Sequence, residues 1–188
     1  MAETKSVAKV KKKWFTVLAP ELFNKKEIAD ISAVTAESAV GKFVDVSGQM
    51  LTGLPRDLNK KYKLKLIQAV GDKLQAKAAA YYLADSFVQR TARRYKERFI
   101  SVTKHTTKDN KTAKIKLYFL DLKKIHHSER GVLLMKTKEF LTVEVKNTEA
   151  EKLFDTNMIE KIANDLRKVL EDTYTVDKIL LTKLSIIG

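Results

Sequence analysis

Four arginines, Arg90, Arg93, Arg94 and Arg98, recur at a spacing that places them on one side of a helix. A guanidinium offers a planar fork of N–H donors that matches phosphate in a bidentate way, so this face suits phosphate contact. Glu97 is the only acid within the segment, and crowding so many cations without an anion is costly. Lys104, Lys108, Lys111 and Lys114 surround a second basic segment, with Asp109 as the acid among them. Lys11, Lys12 and Lys13 close an N-terminal stretch that also holds Lys5 and Lys9 against Glu3. These three groups are the candidate nucleic-acid contacts.

Other chemistry finds little to build on. The histidines are His105, His126 and His127, and the adjacent pair lacks a carboxylate or histidine one helical turn on to complete a metal site. Cysteine is absent, which removes thiol catalysis, disulfides and cysteine-ligated zinc. No Gly-x-Ser-x-Gly elbow or Walker loop occurs, and the six glycines are not clustered. Paired carboxylates concentrate near the C-terminus, where Glu149, Glu151, Asp155, Glu160, Asp165, Glu171 and Asp172 outnumber the bases. That pattern reads as a solvated or protein-facing surface. No enzyme, no cofactor and no metal is expected.

The whole chain has 188 residues and a net charge of +14, with 44% hydrophobic and 32% charged residues. It is long enough for one domain with its own core. A balance this basic attracts polyanions. No apolar run approaches the length of a membrane span, and Met1–Lys13 lacks the apolar stretch of a signal peptide. A soluble, cytoplasmic protein without a membrane partner or small-molecule substrate is expected.

The elements that position these groups follow from periodicity. Residues 1–13 have no apolar period and read as a flexible basic arm. Trp14 to Leu18 reads as a strand ending at Ala19-Pro20, and Asn24 can cap a short helical turn reaching Asp30. Phe43 to Ser47 reads as a strand, broken by turn chemistry from Gly48 to Pro55. Tyr62, Leu64 and Leu66 alternate with Lys61, Lys63 and Lys65, the signature of a half-buried strand with a lysine row outside. Gly71-Asp72-Lys73 can turn the chain. Leu74 to Leu83 is ambiguous: its alanines favour helix, its position after a strand and turn favours a returning strand. Asp85 or Ser86 can cap a helix through about Arg98, with Phe87, Val88, Thr91, Ala92, Tyr95 and Phe99 on its apolar side.

Phe99 to Thr103 and Ile115 to Leu122 read as strands joined by a loop centred on Thr106 to Asn110. Val132 to Val145 carries both helix and strand signals. Thr148 with Glu151 has the pattern of a capping box before a helix marked by Phe154, Met158, Ile162, Leu166 and Leu170. Val176 to Ile187 reads as a closing strand. Tyr81, Tyr82 and Tyr118 read as core or rim residues, with base stacking as the alternative.

Several of these segments together resemble the archaeal and eukaryotic small-subunit ribosomal protein S-one family, also called the S-three-a-e family. Lys12 to Pro20, with Phe23-Asn24 and Glu27-Ile28, is similar to the family's opening. Val40-Gly41-Lys42, Val44 to Ser47 and Leu51-Thr52-Gly53 resemble its next strand and turn. Tyr62 to Val70, Arg93-Arg94, Thr106 to Asp109 and Val176 to Leu184 follow in the family's order. Asn110 stands where the family usually has glycine, and His126-His127 where it usually has arginine, as in a divergent archaeal member.

The resemblance implies an α+β fold in a single domain, a barrel-like β-sheet with helices packed outside it. The barrel-like part would span about 14–125, and a helical part with the closing strand about 126–188. It implies strand for Leu74–Leu83 and helix from Ser128 to about Phe140. It also implies a non-catalytic component of the small ribosomal subunit. Such a component binds small-subunit rRNA at the platform near the mRNA exit, beside neighbouring ribosomal proteins and as one copy per particle. The alternative is a translation-linked factor that associates with ribosomes transiently.

Overall fold

The computed structural model describes residues 12–172 and 174–187. Eight strands form one mixed sheet: β1 (Lys13–Leu18), β2 (Glu27–Ala33), β3 (Phe43–Ser47), β4 (Lys60–Val70), β5 (Lys73–Leu83), β6 (Glu97–Thr106), β7 (Thr112–Asp121) and β8 (Lys178–Ile187). The described helices are α1 (Ala36–Ala39), α2 (Gly48–Thr52), α3 (Asp85–Ala92), α4 (His127–Asn147) and α5 (Thr156–Glu171).

Alternation places each strand. In β4, Tyr62, Leu64 and Leu66 are buried and Lys61, Lys63 and Lys65 are exposed. Gly71, at φ 61°, makes the tight turn into β5 with a backbone that residues bearing a Cβ rarely adopt. β5 then runs back along β4, so its alanines sit in a strand despite their helical propensity. Pairing along the whole strand outweighs an intrinsic preference of a few tenths of a kcal/mol per residue.

The expected barrel does not close. One edge of β5 is taken by β4, whereas the other is divided: Lys73–Gln75 pair with β1 and Ala80–Tyr82 pair with β8. The sheet therefore splays into two arms in the order β2-β1-β5-β8-β7-β6, with β3 attached beyond β4. Among the described strands, β2, β3 and β6 each keep a single partner and stay as edges. β8, last in sequence, lies between β5 and β7, so 14–125 and 126–188 share one sheet.

Three local expectations are corrected. Asn24 does not start a helix reaching Asp30. It ends a single 3₁₀ turn in the left-handed region, and Glu27–Ala33 is drawn into β2 by pairing with β1. The helix opening at Asp85 has Ala84 at its cap position with no side-chain bond, and it stops at Ala92 rather than Arg98. Thr148 closes α4, its hydroxyl donating to the Glu144 carbonyl, and Asp155 caps α5 by accepting from the Asn157 N–H.

One cluster of buried side chains runs from Phe15 to Leu184. It joins the inner face of the sheet to Leu133, Leu141 and Val145 of α4 and to Ile159, Ile162, Leu166 and Leu170 of α5. α4 was ambiguous because Val132, Met135 and Val143 are apolar yet exposed, which blurs its period. Polar ties fix α5 to the start of β4. Asp57 is fully buried and accepts from the Thr52 hydroxyl at 2.7 Å and the Lys60 ammonium at 2.8 Å. Lys60 also reaches Glu160 at 2.6 Å, and the Tyr62 and Thr156 hydroxyls lie 3.0 Å apart. Burial pushes the Asp57 carboxyl up, but the Lys60 and Thr52 hydrogen bonds with the nearby Lys60 and Arg56 charges outweigh it and hold the group below its usual range. Gly48 is required beside this cluster, because a Cβ there would lie 2.8 Å from the Asp57 carbonyl oxygen.

Candidate nucleic-acid interface

The chain leaves α3 through a turn at Arg93 to Lys96, since Lys96 already donates to the Asp121 carbonyl and Glu97 opens β6 against β7. Sheet pairing thus takes residues that a helical wheel would keep. Arg90 stays on α3, Arg93 and Arg94 lie in the turn, and Arg98 projects from β6. All four are exposed. Glu97, the one acid expected to compete with them, alternates to the other side of β6 and pairs with Arg130 of α4. Arg130 also lies 5.3 Å from the Phe99 ring centroid. The four arginines therefore have no carboxylate partner among the described residues.

Arg98 is in register with Leu120 and Lys178 on the outer face of β6, β7 and β8. Lys178 with Phe87, Arg90, Thr91 and Arg94 lines a hollow of about 290 Å³. Three of the four arginines and a lysine unmarked in the sequence thus gather at one end of the sheet.

The lysines continue across that outer face. Lys104 lies opposite Lys114, and Lys114 opposite Ser185, Ala80, Lys63 and Asp45 in turn from β8 to β3. The next row runs from Val102 through Lys116, Lys183, Tyr82 and Lys61 to Ser47. Lys65 faces Lys77 on the neighbouring strand. Asp45 is the only carboxylate in these rows. Lys104–Lys114, Lys116–Lys183 and Lys65–Lys77 are like charges directly across a sheet, an arrangement that destabilises by a few tenths of a kcal/mol or more per pair. A bound polyanion would reverse that sign.

The hairpin tip is not a free finger. Asp109 accepts from the Ala150 N–H at 3.1 Å, and the Lys108 N–H donates to the Thr148 carbonyl at 3.3 Å. Asn110 adopts φ 57°, so it fills the left-handed position of the turn. This docking occupies Asp109 and leaves Lys108 exposed. Lys12 and Lys13 are exposed on and before β1, separated from β6 by three strands, so they do not join the arginine cluster. Lys13 begins β1 rather than ending an arm, and Lys11 lies outside the described residues.

Sequence reasoning did not assign Lys61, Lys63, Lys65, Lys116, Lys178 or Lys183 as contacts. The lysine row of β4 was visible, but its continuation across β5, β8 and β7 depends on register. His105 is buried, 3.1 Å from the Thr142 hydroxyl, and burial with the Lys138 charge pushes its imidazole down, so it adds no cation. No metal-binding cluster occurs among the described residues. Likewise no described helix is long and apolar enough to cross a membrane.

The decisive comparison is with family models: residues 2–188 match that of the ribosomal S3Ae family. The chain belongs to that family. It is 24% identical over 177 residues to a small ribosomal subunit protein eS1 of Picrophilus torridus, covering 94% of this chain and 85% of the relative. It is 23% identical over 176 residues to the protein of the same name from Sulfurisphaera tokodaii, covering 94% and 91%. The relative from Thermoplasma volcanium, again a small ribosomal subunit protein eS1, is 24% identical over 177 residues, covering 94% and 82%. These relatives are archaeal ribosomal structural proteins, not enzymes. The match spans the residues of all eight strands.

Proposed function

We propose that the chain is a structural constituent of the small ribosomal subunit that docks on small-subunit rRNA through phosphate contacts. The observation that carries this reading is the withdrawal of Glu97 by Arg130, which leaves Arg90, Arg93, Arg94 and Arg98 without a counter-ion among the described residues. Repulsive lysine pairs on the same sheet face support it, because folded rRNA supplies the missing negative charge. The family's resemblance supports a place at the platform near the mRNA exit. The charge of the hairpin supports contact of Lys104, Lys108, Lys111 and Lys114 with a second stretch of rRNA, and that of Lys11 to Lys13 with a third. Part of the acidic outer side of α5 faces solvent or a neighbouring ribosomal protein. The protein works in the cytoplasm as one copy per particle.

The test is sedimentation of native lysate through sucrose at ordinary and high salt, with mass-spectrometric counting. A structural constituent stays with small subunits at one copy per particle under both conditions. Release by salt supports the transient factor instead. An Arg93→Glu/Arg94→Glu chain with an unchanged circular dichroism spectrum is expected to lose rRNA binding. Full binding by that variant overturns the arginine assignment.

A further inference from the structure

Between its contacts with β1 and β8, one edge of β5 pairs with no described strand over Ala76–Ala79. A cleft of about 770 Å³ opens beside this gap. Its lining includes Ala79 and Ala80, whose small side chains leave room above the strand, with Phe43 and the core-packed Ala78 and Ile186. Lys63, Lys65, Lys77 and Lys111 also line it, and no carboxylate does among the described residues. Lys77 meets Glu151 nearby, whereas Lys65 and Lys111 have no ion pair among the described residues. Phe43 is 53% exposed, with the Lys63 ammonium 5.0 Å from its ring centroid.

Lys63 and Ala80 line a second hollow as well, of about 310 Å³, which holds Tyr82, Lys116 and Lys183. Asp45 and Asp85 are its carboxylates. Burial, then the adjacent Asp45, pushes the Tyr82 phenol up, so the ring stays neutral. The two hollows share Lys63 and Ala80 and so adjoin as one track, each with an aromatic ring and lysines beside it.

We propose that this track, from the cleft between β5 and β8 to Tyr82, seats an unpaired segment of RNA, with one base against Phe43 and the alanine floor. This rests on the reading of the chain as an rRNA-binding protein and adds a site distinct from the arginine cluster. The chemistry selects the ligand. Lysines that outnumber the acids beside them attract a polyanion, and an apolar slot beside an aromatic ring accepts a flat base. A run of Asp and Glu would satisfy the charges but bring no ring. A duplex keeps its bases stacked inside and offers only phosphates to this face.

The experiment measures anisotropy of the full chain with a labelled single-stranded RNA, a duplex of equal length and an abasic strand of equal charge. Competition with polyglutamate is measured alongside. The single strand is expected to bind at least tenfold more tightly than the duplex or the abasic strand. Phe43→Ala is expected to weaken the single strand about tenfold, the scale of one base–aromatic stack, without changing its salt dependence. Lys65→Gln is expected to lower the salt slope by about 0.7, as loss of one single-strand phosphate contact does. Ala79→Trp fills the cleft and should remove the single-strand preference while circular dichroism and duplex binding stay unchanged. Equal binding of the abasic strand, equal competition by polyglutamate, or an unaffected Phe43→Ala chain overturns the proposal. The Arg93→Glu/Arg94→Glu result on rRNA is independent of all three, so failure here is separable from failure of the ribosomal reading.

Discussion

Replacing Arg93 and Arg94 with glutamine removes two charges that no carboxylate among the described residues pairs with. Both side chains are exposed in the turn after α3 and lack an ion pair among the described residues, so folding stability should move by no more than about 0.5 kcal/mol. Binding should change in a way that salt reveals. Each phosphate neutralised on duplex RNA regions contributes about 0.9 to the slope of log affinity against log salt, taking the duplex-DNA value as a guide. Two lost contacts flatten that slope by about 1.8. Between 50 and 200 mM salt, a fourfold range, the affinity gap between wild type and variant should therefore narrow by roughly tenfold. The assay is filter binding to protein-free small-subunit rRNA across that range, with circular dichroism as the control for folding. A variant that binds more weakly by the same factor at every salt concentration refutes phosphate contact by these arginines. An unchanged affinity refutes their involvement altogether.

Lys116→Glu converts a repulsive cross-strand pair with Lys183 into an attractive one. It should raise stability by up to about 1 kcal/mol in thermal melts while weakening rRNA binding, and a fall in both would show that the repulsion is absent. Asp57→Asn leaves Lys60 with Glu160 alone and should cost about 3 kcal/mol in urea denaturation. Because the Asp57 pKa is lowered on folding, its contribution is complete above its ordinary value of 3.8 and lost as pH falls through the lower folded value. The Asn variant should lack that part of the acid slope, and acid curves of identical shape would contradict it. Gly48→Ala should cost about 1–3 kcal/mol, because the new methyl meets the Asp57 carbonyl, and an unshifted urea midpoint would exclude the clash. Burial, despite the Thr156 hydrogen bond, has the Tyr62 phenol pushed up to about 12. Its contribution to stability is thus full below pH 10 and lost as pH rises toward 12. Absorbance titration at pH 11 should count as many ionised tyrosines in Tyr62→Phe as in wild type, and one fewer in the variant would show Tyr62 to titrate normally.

Much of the fold was legible where a short-range period meets one buried face. Lys61 to Leu66 is such a case, and so is α5, whose buried positions Ile159, Ile162, Leu166 and Leu170 keep helical spacing. Legibility failed where local and distant preferences compete. Arg93 to Arg98 has the spacing of a helix, but Glu97 to Thr106 gains a complete ladder against β7. Asn24 has the chemistry of a cap, yet the residues after it pair with β1. The barrel failed for a related reason: nothing in the sequence of β5 announces that one of its edges serves two different strands.

The sequence by itself determined the charge, the absence of thiol chemistry, the alternating lysines and the arginine-rich segment, since all of these are properties of residue type and spacing. Tertiary structure decided which charges remain available. Glu97 is drawn to Arg130 across β6 and α4, Asp109 to the backbone of Ala150, and Lys60 to Asp57 and Glu160. It also set lysines from β4, β6, β7 and β8 side by side on one face. An ion pair or a register row depends on which residues distant in the chain come within a few ångströms, and that is fixed only when the sheet assembles.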